Sequence, residues 1–161
     1  ESSIGLKIIK KQIKVNNIVK KYFIKKYLYP KHFSFGNKIV NYASSAIDIS
    51  DGFYGDLNKI LNNNLGAKLS IKNIPISNTL KSIIFSNSSI ININDILNWG
   101  DNYQLIFTSN KKFKNTIIKL AKKHHVKLSN VGSIIKKKGI YDDSMNLIKN
   151  IRSFDHFSLK S

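Results

Sequence analysis

The sequence predicts a single α+β domain in which helices cover a mixed β-sheet. Segments with apolar residues at helical spacing alternate with short β-branched segments, but without the strict repetition of βαβ units. The chain of 161 residues shows no internal repeat and no linker rich in Gly, Ser or Pro, so one domain over residues 1–161 is the simplest interpretation. Its apolar fraction of 42% is sufficient for a hydrophobic core.

The first part of the chain is predicted to form three helices. Ser2 or Ser3 is the expected N-cap of the first helix, because a hydroxyl can accept a hydrogen bond from a free backbone N–H. The second helix covers residues 18–28 and ends before Pro30, since the residue that precedes a proline is disfavoured in a helix. Residues 35–42 are predicted as a short third helix.

The next segment predicts a strand, an acidic turn and a helix. Residues 45–49 favour a strand, the Asp-Gly pair at residues 51–52 interrupts it, and apolar residues then recur at helical spacing. The three asparagines at residues 62–64 are expected to end this helix. A further strand is predicted for residues 67–71 and a short helix for residues 78–85.

The last third of the chain continues the alternation of helices and strands. A helix is predicted for residues 95–99 and a strand for residues 103–108, and Asn110 is the expected cap of another helix. The buried side of that helix is expected to comprise Phe113, Ile117, Leu120, Ala121 and His124. Residues 126–136 and 140–148 are predicted as strands, the second interrupted by an Asp-Asp-Ser turn.

The charge of the chain is strongly positive. Lys and Arg number 27 and Asp and Glu number 9, which gives a formal net charge of +18, and Arg152 is the only arginine. Such a charge attracts polyanions, but a nucleic-acid reader usually employs arginine for bidentate contacts. Because lysine here accompanies many Ile and Asn residues, which AT-rich codons favour, we attribute the charge to genome composition and predict no specific nucleic-acid partner.

The chain contains no cysteine, which excludes disulfides, thiolate metal sites and cysteine nucleophiles. No apolar run approaches the ~20 residues that a membrane-spanning helix needs, and the first residues lack the features of a secretory signal. We therefore expect a cytoplasmic location without a membrane partner.

Asp48, Ser50 and Asp51 lie where the predicted strand runs into the predicted helix. Two carboxylates three positions apart can share Mg²⁺, which prefers oxygen ligands, and a hydroxyl and free backbone N–H groups at a helix start can face a phosphate. The alternative is that an Asp here only caps the helix. The sequence contains no Walker-type glycine loop. On residue types alone, both interpretations stay open.

Other polar clusters favour structural roles. His124 and His125 are expected at a helix C-terminus beside lysines, where a cationic or hydrogen-bonding role is favoured over metal binding. The lysines at residues 136–138 are expected in a solvated loop, although contact with phosphate stays open. His32 and His156 also invite a metal or acid–base interpretation.

The motifs of the chain resemble those of thiamine-monophosphate kinases. Residues 46–53 (Ala-Ile-Asp-Ile-Ser-Asp-Gly-Phe), followed by Asp-Leu at residues 56–57, are similar to the family's Asp-Ile/Leu-Ser-Asp-Gly-Leu…Asp-Leu signature. Residues 99–108 resemble its Gly-Gly-Glu-Asp-Tyr-Glu-Leu-x-Phe-Thr segment, and residues 154–157 its aromatic-Asp-His-Phe segment. Further matches, in the same order as in the family, lie at residues 1–6, 65–67, 74–77 and 131–132.

The resemblance implies the C-terminal domain of the aminoimidazole ribonucleotide synthetase-like superfamily and a set of ligands. It implies that Asp48 and Asp51 bind Mg²⁺ and that Ser50 contacts ATP, the co-substrate. It places Asp101 and Phe154 against thiamine monophosphate, since an aromatic ring and a carboxylate suit a cationic ring. It further implies ATP-dependent phosphorylation of thiamine monophosphate to thiamine diphosphate by direct phosphoryl transfer.

The same resemblance implies an N-terminal domain that carries most of the acidic metal ligands and the dimer contact, and that lies outside these residues. We therefore expect a homodimer of the intact protein and no activity from the chain alone. The sequence departs from the family at residues 101–104, where Glu-Asp-Tyr-Glu is Asp-Asn-Tyr-Gln, at Trp99 in place of glycine, and at residues 30–33, which lack the family's arginine. A non-catalytic remnant and, less favoured, a basic nucleic-acid-binding protein are the alternatives.

Overall fold

The computed structural model describes residues 1–30, 34–61, 64–86, 91–149 and 151, and it confirms the α+β class. The helices in these ranges are α1 (Ser2–Ile9), α2 (Asn17–Leu28), α3 (Gly36–Ile39), α4 (Phe53–Ile60), α5 (Asn78–Ser86), α6 (Ile93–Asn98) and α7 (Lys114–Lys123). The strands are β1 (Ala43–Asp48), β2 (Gly66–Leu69), β3 (Leu105–Ser109), β4 (Gly132–Ile135) and β5 (Gly139–Tyr141). Short 3₁₀ turns cover Ile71–Asn73 and Lys111–Phe113.

The strands of the described residues form two sheets instead of the one that the sequence predicts. Strand β2 lies between β4, to which it is antiparallel, and β5, to which it is parallel, so this sheet is mixed as predicted. Strands β1 and β3 form a separate antiparallel pair. In that pair Asp48 lies opposite Leu105, so the end of β1 meets the start of β3.

Three clusters of buried apolar side chains form the core. The first joins α4, β2 and α6 around Tyr54, and the second joins α1, α2, α5 and α6 around Phe23. The third joins α3 and α7 around Ile39. The site described below lies where α4, β1 and the segment between α6 and β3 meet, beside the first cluster.

Helices α1 and α2 pack with very little space between them. A Cβ atom added at Gly5 would lie 2.2 Å from the carbonyl oxygen of Phe23, so only glycine permits this approach. The predicted cap at Ser2 or Ser3 is wrong, because both serines lie inside α1 and are buried. The Ser2 hydroxyl donates instead to the carbonyl of Lys26, 3.2 Å away in α2.

Two further expectations differ from the structure. Residues 126–131 do not belong to β4, which begins only at Gly132, so the predicted strand is too long. His124 is exposed and forms the C-cap of α7, whereas Ile117 and Ala121 form its buried side as expected. The helical spacing used to predict the buried side extends to His124, one residue beyond the end of α7 at Lys123. Within the described ranges, no helix is long and apolar enough to cross a membrane.

Candidate active site

The candidate site is built on the sharp connection between β1 and α4. Asp48 is the last residue of β1 and is exposed, and α4 begins five residues later at Phe53. Gly52 adopts a φ of 124°, which side-chain-bearing residues rarely adopt, and a Cβ atom there would lie 2.5 Å from the carbonyl oxygen of Asn98. The turn thus requires glycine at residue 52 both for its conformation and for its contact with α6.

Asp56, to which the sequence analysis gives no role, closes this turn. Its side chain is 0% exposed, and its Oδ2 atom accepts hydrogen bonds from the N–H of Asp51 at 2.9 Å and of Gly52 at 3.2 Å. Two backbone N–H groups just before α4 are therefore engaged within the turn. An aspartate on the buried side of a helix is the signal that could have revealed this role, because buried carboxylates need such partners.

Lys59 adds a positive charge to the two carboxylates. Its Nζ atom lies 2.5 Å from Oδ2 of Asp51 and 2.8 Å from Oδ1 of Asp56. The hydrogen bond to Asp51, followed by that to Asp56, raises the pKa of Lys59 above its usual range. Lys59 therefore stays protonated at neutral pH and compensates the buried charge of Asp56.

The segment between α6 and β3 lies directly against this turn. The N–H of Asp101 donates to the carbonyl of Ser50 at 2.8 Å, and the N–H of Tyr103 donates to the carbonyl of Ile49 at 2.8 Å. A Cβ atom at Gly100 would lie 2.0 Å from the Ser50 oxygen. Two segments separated by about fifty residues in sequence are therefore held together by their backbones, and Asp101 adjoins Ser50.

Asp101 and Tyr103 are both in the left-handed region, with φ values of 59° and 51°. Side-chain-bearing residues adopt this conformation only where the surroundings require it. The Tyr103 hydroxyl donates to Oδ1 of Asp101 at 3.4 Å, and the Tyr103 ring is half-exposed. Burial, then the Asp101 carboxylate and more weakly Tyr27 and Asp48, raise the pKa of Tyr103.

Trp99 stands where the resemblance to the family implies a glycine. Trp99 follows the end of α6 and packs, partly buried, against the core cluster around Phe23. The Lys7 ammonium lies 4.4 Å from the centre of its ring. The Asn102 amide donates to the carbonyls of Trp99 and Gly100 at 3.1 and 3.2 Å, which stabilises the bend. Trp99 and Asn102 therefore both make stabilising contacts in this fold.

The structure brings four of the five predicted site residues to adjoining segments. Asp48 ends β1, Ser50 and Asp51 lie in the β1–α4 connection, and the backbone N–H of Asp101 donates to the carbonyl of Ser50. Phe154 lies outside the described residues. The cap interpretation is not supported for Asp51, because α4 begins at Phe53 and its N-cap is Gly52, which makes no side-chain cap hydrogen bond in the described part of the chain.

The donor chemistry of this connection fits a hard cation. Asp48 and Asp51 supply carboxylate oxygens, and the Lys59 ammonium on Asp51 shows that this carboxylate already binds a positive group in this fold. Across the described ranges no three His, Cys, Asp or Glu side chains gather as a complete metal site. Asp48 and Asp51 would therefore hold Mg²⁺ only together with water or ligands from elsewhere.

The remaining polar clusters do not join this site. His124 and His125 end α7, and the lysines at residues 136–138 are exposed, as the sequence predicts. His32 and His156 lie outside the described residues. A groove of about 340 Å³ lies beside β1, lined by Gly36, Ile39, Val40 and residues 43–46. It contains none of the predicted site residues, so we give it no role in the chemistry.

Known proteins resemble this chain in sequence and fold. Residues 24–143 match the family described as AIR synthase related protein, C-terminal domain. A thiamine-monophosphate kinase of Buchnera aphidicola subsp. Acyrthosiphon pisum (strain APS) is 35% identical over 163 residues, which cover 98% of this chain and 50% of that protein. A thiamine-monophosphate kinase of Buchnera aphidicola subsp. Schizaphis graminum (strain Sg) is 34% identical over 171 residues, with the same two coverages.

Solved structures resemble this chain in fold. AaThiL complexed with AMPPCP and TMP superposes with a TM-score of 0.76 at 23% identity, over 97% of this chain and 48% of that one. The thiamine-monophosphate kinase from Stenotrophomonas maltophilia K279a gives a TM-score of 0.73 at 23% identity, over 88% and 46%. The chain thus spans about half the length of the relatives it matches.

Proposed function

The chain belongs to the AIR synthase related protein, C-terminal domain family, and from that premise we propose that it is the C-terminal half of a thiamine-monophosphate kinase. The intact protein would transfer the γ-phosphoryl group of ATP to thiamine monophosphate. The sequence relatives named as that kinase support this proposal over nearly the whole chain. The relative bound to AMPPCP, an ATP analogue, and TMP supports the two substrates.

One structural observation carries the proposal. The backbone hydrogen bonds between residues 49–50 and 101–104 hold the predicted metal-binding turn against the predicted substrate residue. A phosphoryl transfer needs both substrates fixed at one place with the negative charge neutralised, and it needs little covalent participation by the protein. If both substrates must be fixed at one place, the segment that binds the metal and the segment that binds the acceptor should adjoin, as these two segments do.

The reaction exchanges one phosphorus–oxygen bond for another. An oxygen of the thiamine monophosphate phosphate forms a bond to the γ-phosphorus of ATP, and the bond from that phosphorus to the β,γ-bridging oxygen breaks. The products are thiamine diphosphate and ADP. Because the attacking oxygen is already anionic at neutral pH, no side chain needs to act as a strong base.

The residues of this chain would bind and orient the substrates. Asp48 and Asp51 would hold Mg²⁺, which when bound neutralises phosphate charge. The Ser50 hydroxyl would donate to a phosphate oxygen of ATP. Asp101 would face the cationic ring of the thiamine moiety, and Phe154 would stack on it. The left-handed backbone at Asp101 and Tyr103 would fix the position of the acceptor relative to Ser50.

The intact protein would also contain an N-terminal domain. We infer this from the coverage of about half in the relatives. That domain would supply further acidic ligands, much of the ATP site and the contact of a homodimer in the cytoplasm. The chain of 161 residues alone is predicted to form no thiamine diphosphate, because two carboxylates without further ligands do not make the metal site.

The test is the formation of thiamine diphosphate from thiamine monophosphate and Mg-ATP, followed by chromatography. The intact protein should form product above a control without enzyme, and chelation of Mg²⁺ should abolish it. The isolated chain should form none. A folded, dimeric preparation of the intact protein that forms no product would contradict the proposal and favour the non-catalytic remnant.

A further inference from the structure

We propose that Lys59 is an internal cation that holds the Asp51 carboxylate in the metal-free protein and that Mg²⁺ displaces when it binds. This inference rests on the metal-binding part of the proposed function. The displaced ammonium would stay on Asp56, which lies on the same helix one turn away. Lys59 would then act as a positioning residue whose contacts differ between the metal-free and the metal-bound protein.

The geometry places the ammonium between two carboxylates that differ in their surroundings. Nζ of Lys59 lies 2.5 Å from Oδ2 of Asp51 and 2.8 Å from Oδ1 of Asp56. The Asp51 side chain is 17% exposed, so a cation in solvent can reach it, whereas the Asp56 side chain is 0% exposed and inaccessible. Of the two partners, Asp51 is therefore the one that an incoming cation can take.

Asp56 does not depend on Lys59 alone. Its Oδ2 atom accepts the N–H groups of Asp51 and Gly52, while Lys59 contacts its other oxygen. The turn can therefore keep its hydrogen bonds while the ammonium moves by the small distance that releases Asp51. The Lys59 side chain is 45% exposed, so the space toward solvent for this movement exists.

The electrostatics give the direction of the effect. While the ammonium stays on Asp51, an approaching divalent cation meets a positive charge at a few ångströms and a carboxylate whose charge is already compensated. At about 5 Å and the dielectric constant of water, the repulsion between a single and a double charge corresponds to roughly tenfold in affinity. Loss of the Lys59 charge should therefore strengthen Mg²⁺ binding at Asp51 by roughly that factor.

The ammonium also affects the stability of the turn. Two carboxylates this close repel each other when no cation is present, and Lys59 removes that repulsion. A variant without this charge should therefore bind Mg²⁺ more tightly and gain more thermal stability from it, because its metal-free form is the less stable one. If Lys59 had only a structural role, neither the tighter Mg²⁺ binding nor the larger gain in thermal stability would be expected.

The experiment is calorimetric titration of Mg²⁺ alone into the intact protein, free of nucleotide. Lys59→Gln removes the charge and keeps an N–H donor for Asp56, and Lys59→Met removes both. Lys59→Arg keeps the charge, and Lys119→Met on the exposed side of α7 removes one lysine charge on a different helix. Asp51→Asn identifies the part of the titration that depends on Asp51. Circular dichroism confirms the fold of each variant.

We expect roughly tenfold tighter Asp51-dependent binding in Lys59→Gln and Lys59→Met, and wild-type binding in Lys59→Arg and Lys119→Met. Asp51-dependent binding of unchanged or weaker affinity in the two neutral variants overturns the inference while leaving the metal site in place. No Asp51-dependent binding in any variant overturns both the inference and the metal assignment. Tighter binding in a protein that forms no thiamine diphosphate supports the inference and contradicts only the kinase function. If Lys59→Met does not fold, Lys59→Gln decides.

Discussion

At the scale of single residues, Asp56 is the side chain on which the candidate site depends most. It is fully buried, and its two oxygens bind two backbone N–H groups and one ammonium within a single turn of chain. A buried carboxylate is tolerated only with such partners, and one of them, the N–H of Asp51, belongs to a residue that we propose to bind metal. The contacts of the Asp56 carboxylate thereby fix the conformation of the connection between β1 and α4.

Asp56→Asn is predicted to lower the free energy of unfolding by about 2–3 kcal/mol. The amide keeps one acceptor oxygen for the turn, but it cannot compensate the Lys59 ammonium and places an N–H₂ group where an acceptor is required. Urea denaturation followed by circular dichroism measures this loss. Asp95→Asn in the first turn of α6 is the matched control and should change stability by less than about 0.5 kcal/mol. Equal losses in the two variants would contradict the role of Asp56.

Tyr54 is predicted to make the protein less stable in alkali. Burial raises the pKa of its hydroxyl from 10.0 to about 12, and this hydroxyl donates to Oδ1 of Asn94 at 2.9 Å. Because the folded state resists deprotonation, stability is fully present below pH 10 and falls as the pH rises from 10.0 to about 12, by about 2–3 kcal/mol in total. Denaturation at several pH values should show a smaller alkaline loss in Tyr54→Phe, and equal slopes would contradict this account.

At the scale of elements, the contact between α1 and α2 leaves no room for a side chain at Gly5. Gly5→Ala would place a Cβ atom 2.2 Å from the Phe23 carbonyl oxygen, so the helices must separate. We predict a loss of about 1–3 kcal/mol, measured by denaturation. At Gly36, the first residue of α3, the nearest atom to an added Cβ is 3.9 Å away. Gly36→Ala should therefore be neutral, and a similar loss at both positions would contradict the packing argument.

The helices were predicted better than the strands. Periodic apolar residues identify α2, α4, α5 and α7 within a few residues, because a helix buries one side through contacts that are local in sequence. Strand β4 was predicted to begin six residues too early, since pairing with β2 and not residue type decides where it begins. For the same reason, the sequence did not reveal that β1 and β3 form a separate sheet.

The candidate site was predictable only in part. The motif around residues 48–51 is contiguous, so its residues and their position before a helix follow from the sequence. The proximity of Asp101 to Ser50 depends on backbone hydrogen bonds across two distant segments, which residue types do not encode. Lys59 was missed because its role depends on the reach of a long side chain to Asp51, eight residues away.

At the scale of the whole molecule, the net charge of +18 predicts polyanion binding without selectivity. The isolated chain should bind labelled DNA duplexes of unrelated sequence equally, and the affinity should fall by roughly tenfold or more between about 50 and 200 mM salt. Fluorescence anisotropy measures both quantities. Selective binding that persists at the higher salt concentration would instead support a nucleic-acid function.

The whole molecule also limits what this chain can do alone. Its proposed metal-binding carboxylates lie at the end of β1, are few, and carry an internal ammonium. The site would become complete only when ligands from an N-terminal domain reach the same place. Catalysis would then come from positioning and charge neutralisation and not from any one side chain.

The most direct measurement of the central claim is the Mg²⁺ dependence of thiamine diphosphate formation by the intact protein and its Asp51→Asn variant. We predict that the variant turns over at least tenfold more slowly at about 1 mM Mg²⁺, and that higher Mg²⁺ concentrations partly restore the rate, because a weakened ligand lowers metal affinity. Unchanged turnover together with unchanged Mg²⁺ dependence in Asp51→Asn would contradict the claim that this turn holds the metal for phosphoryl transfer.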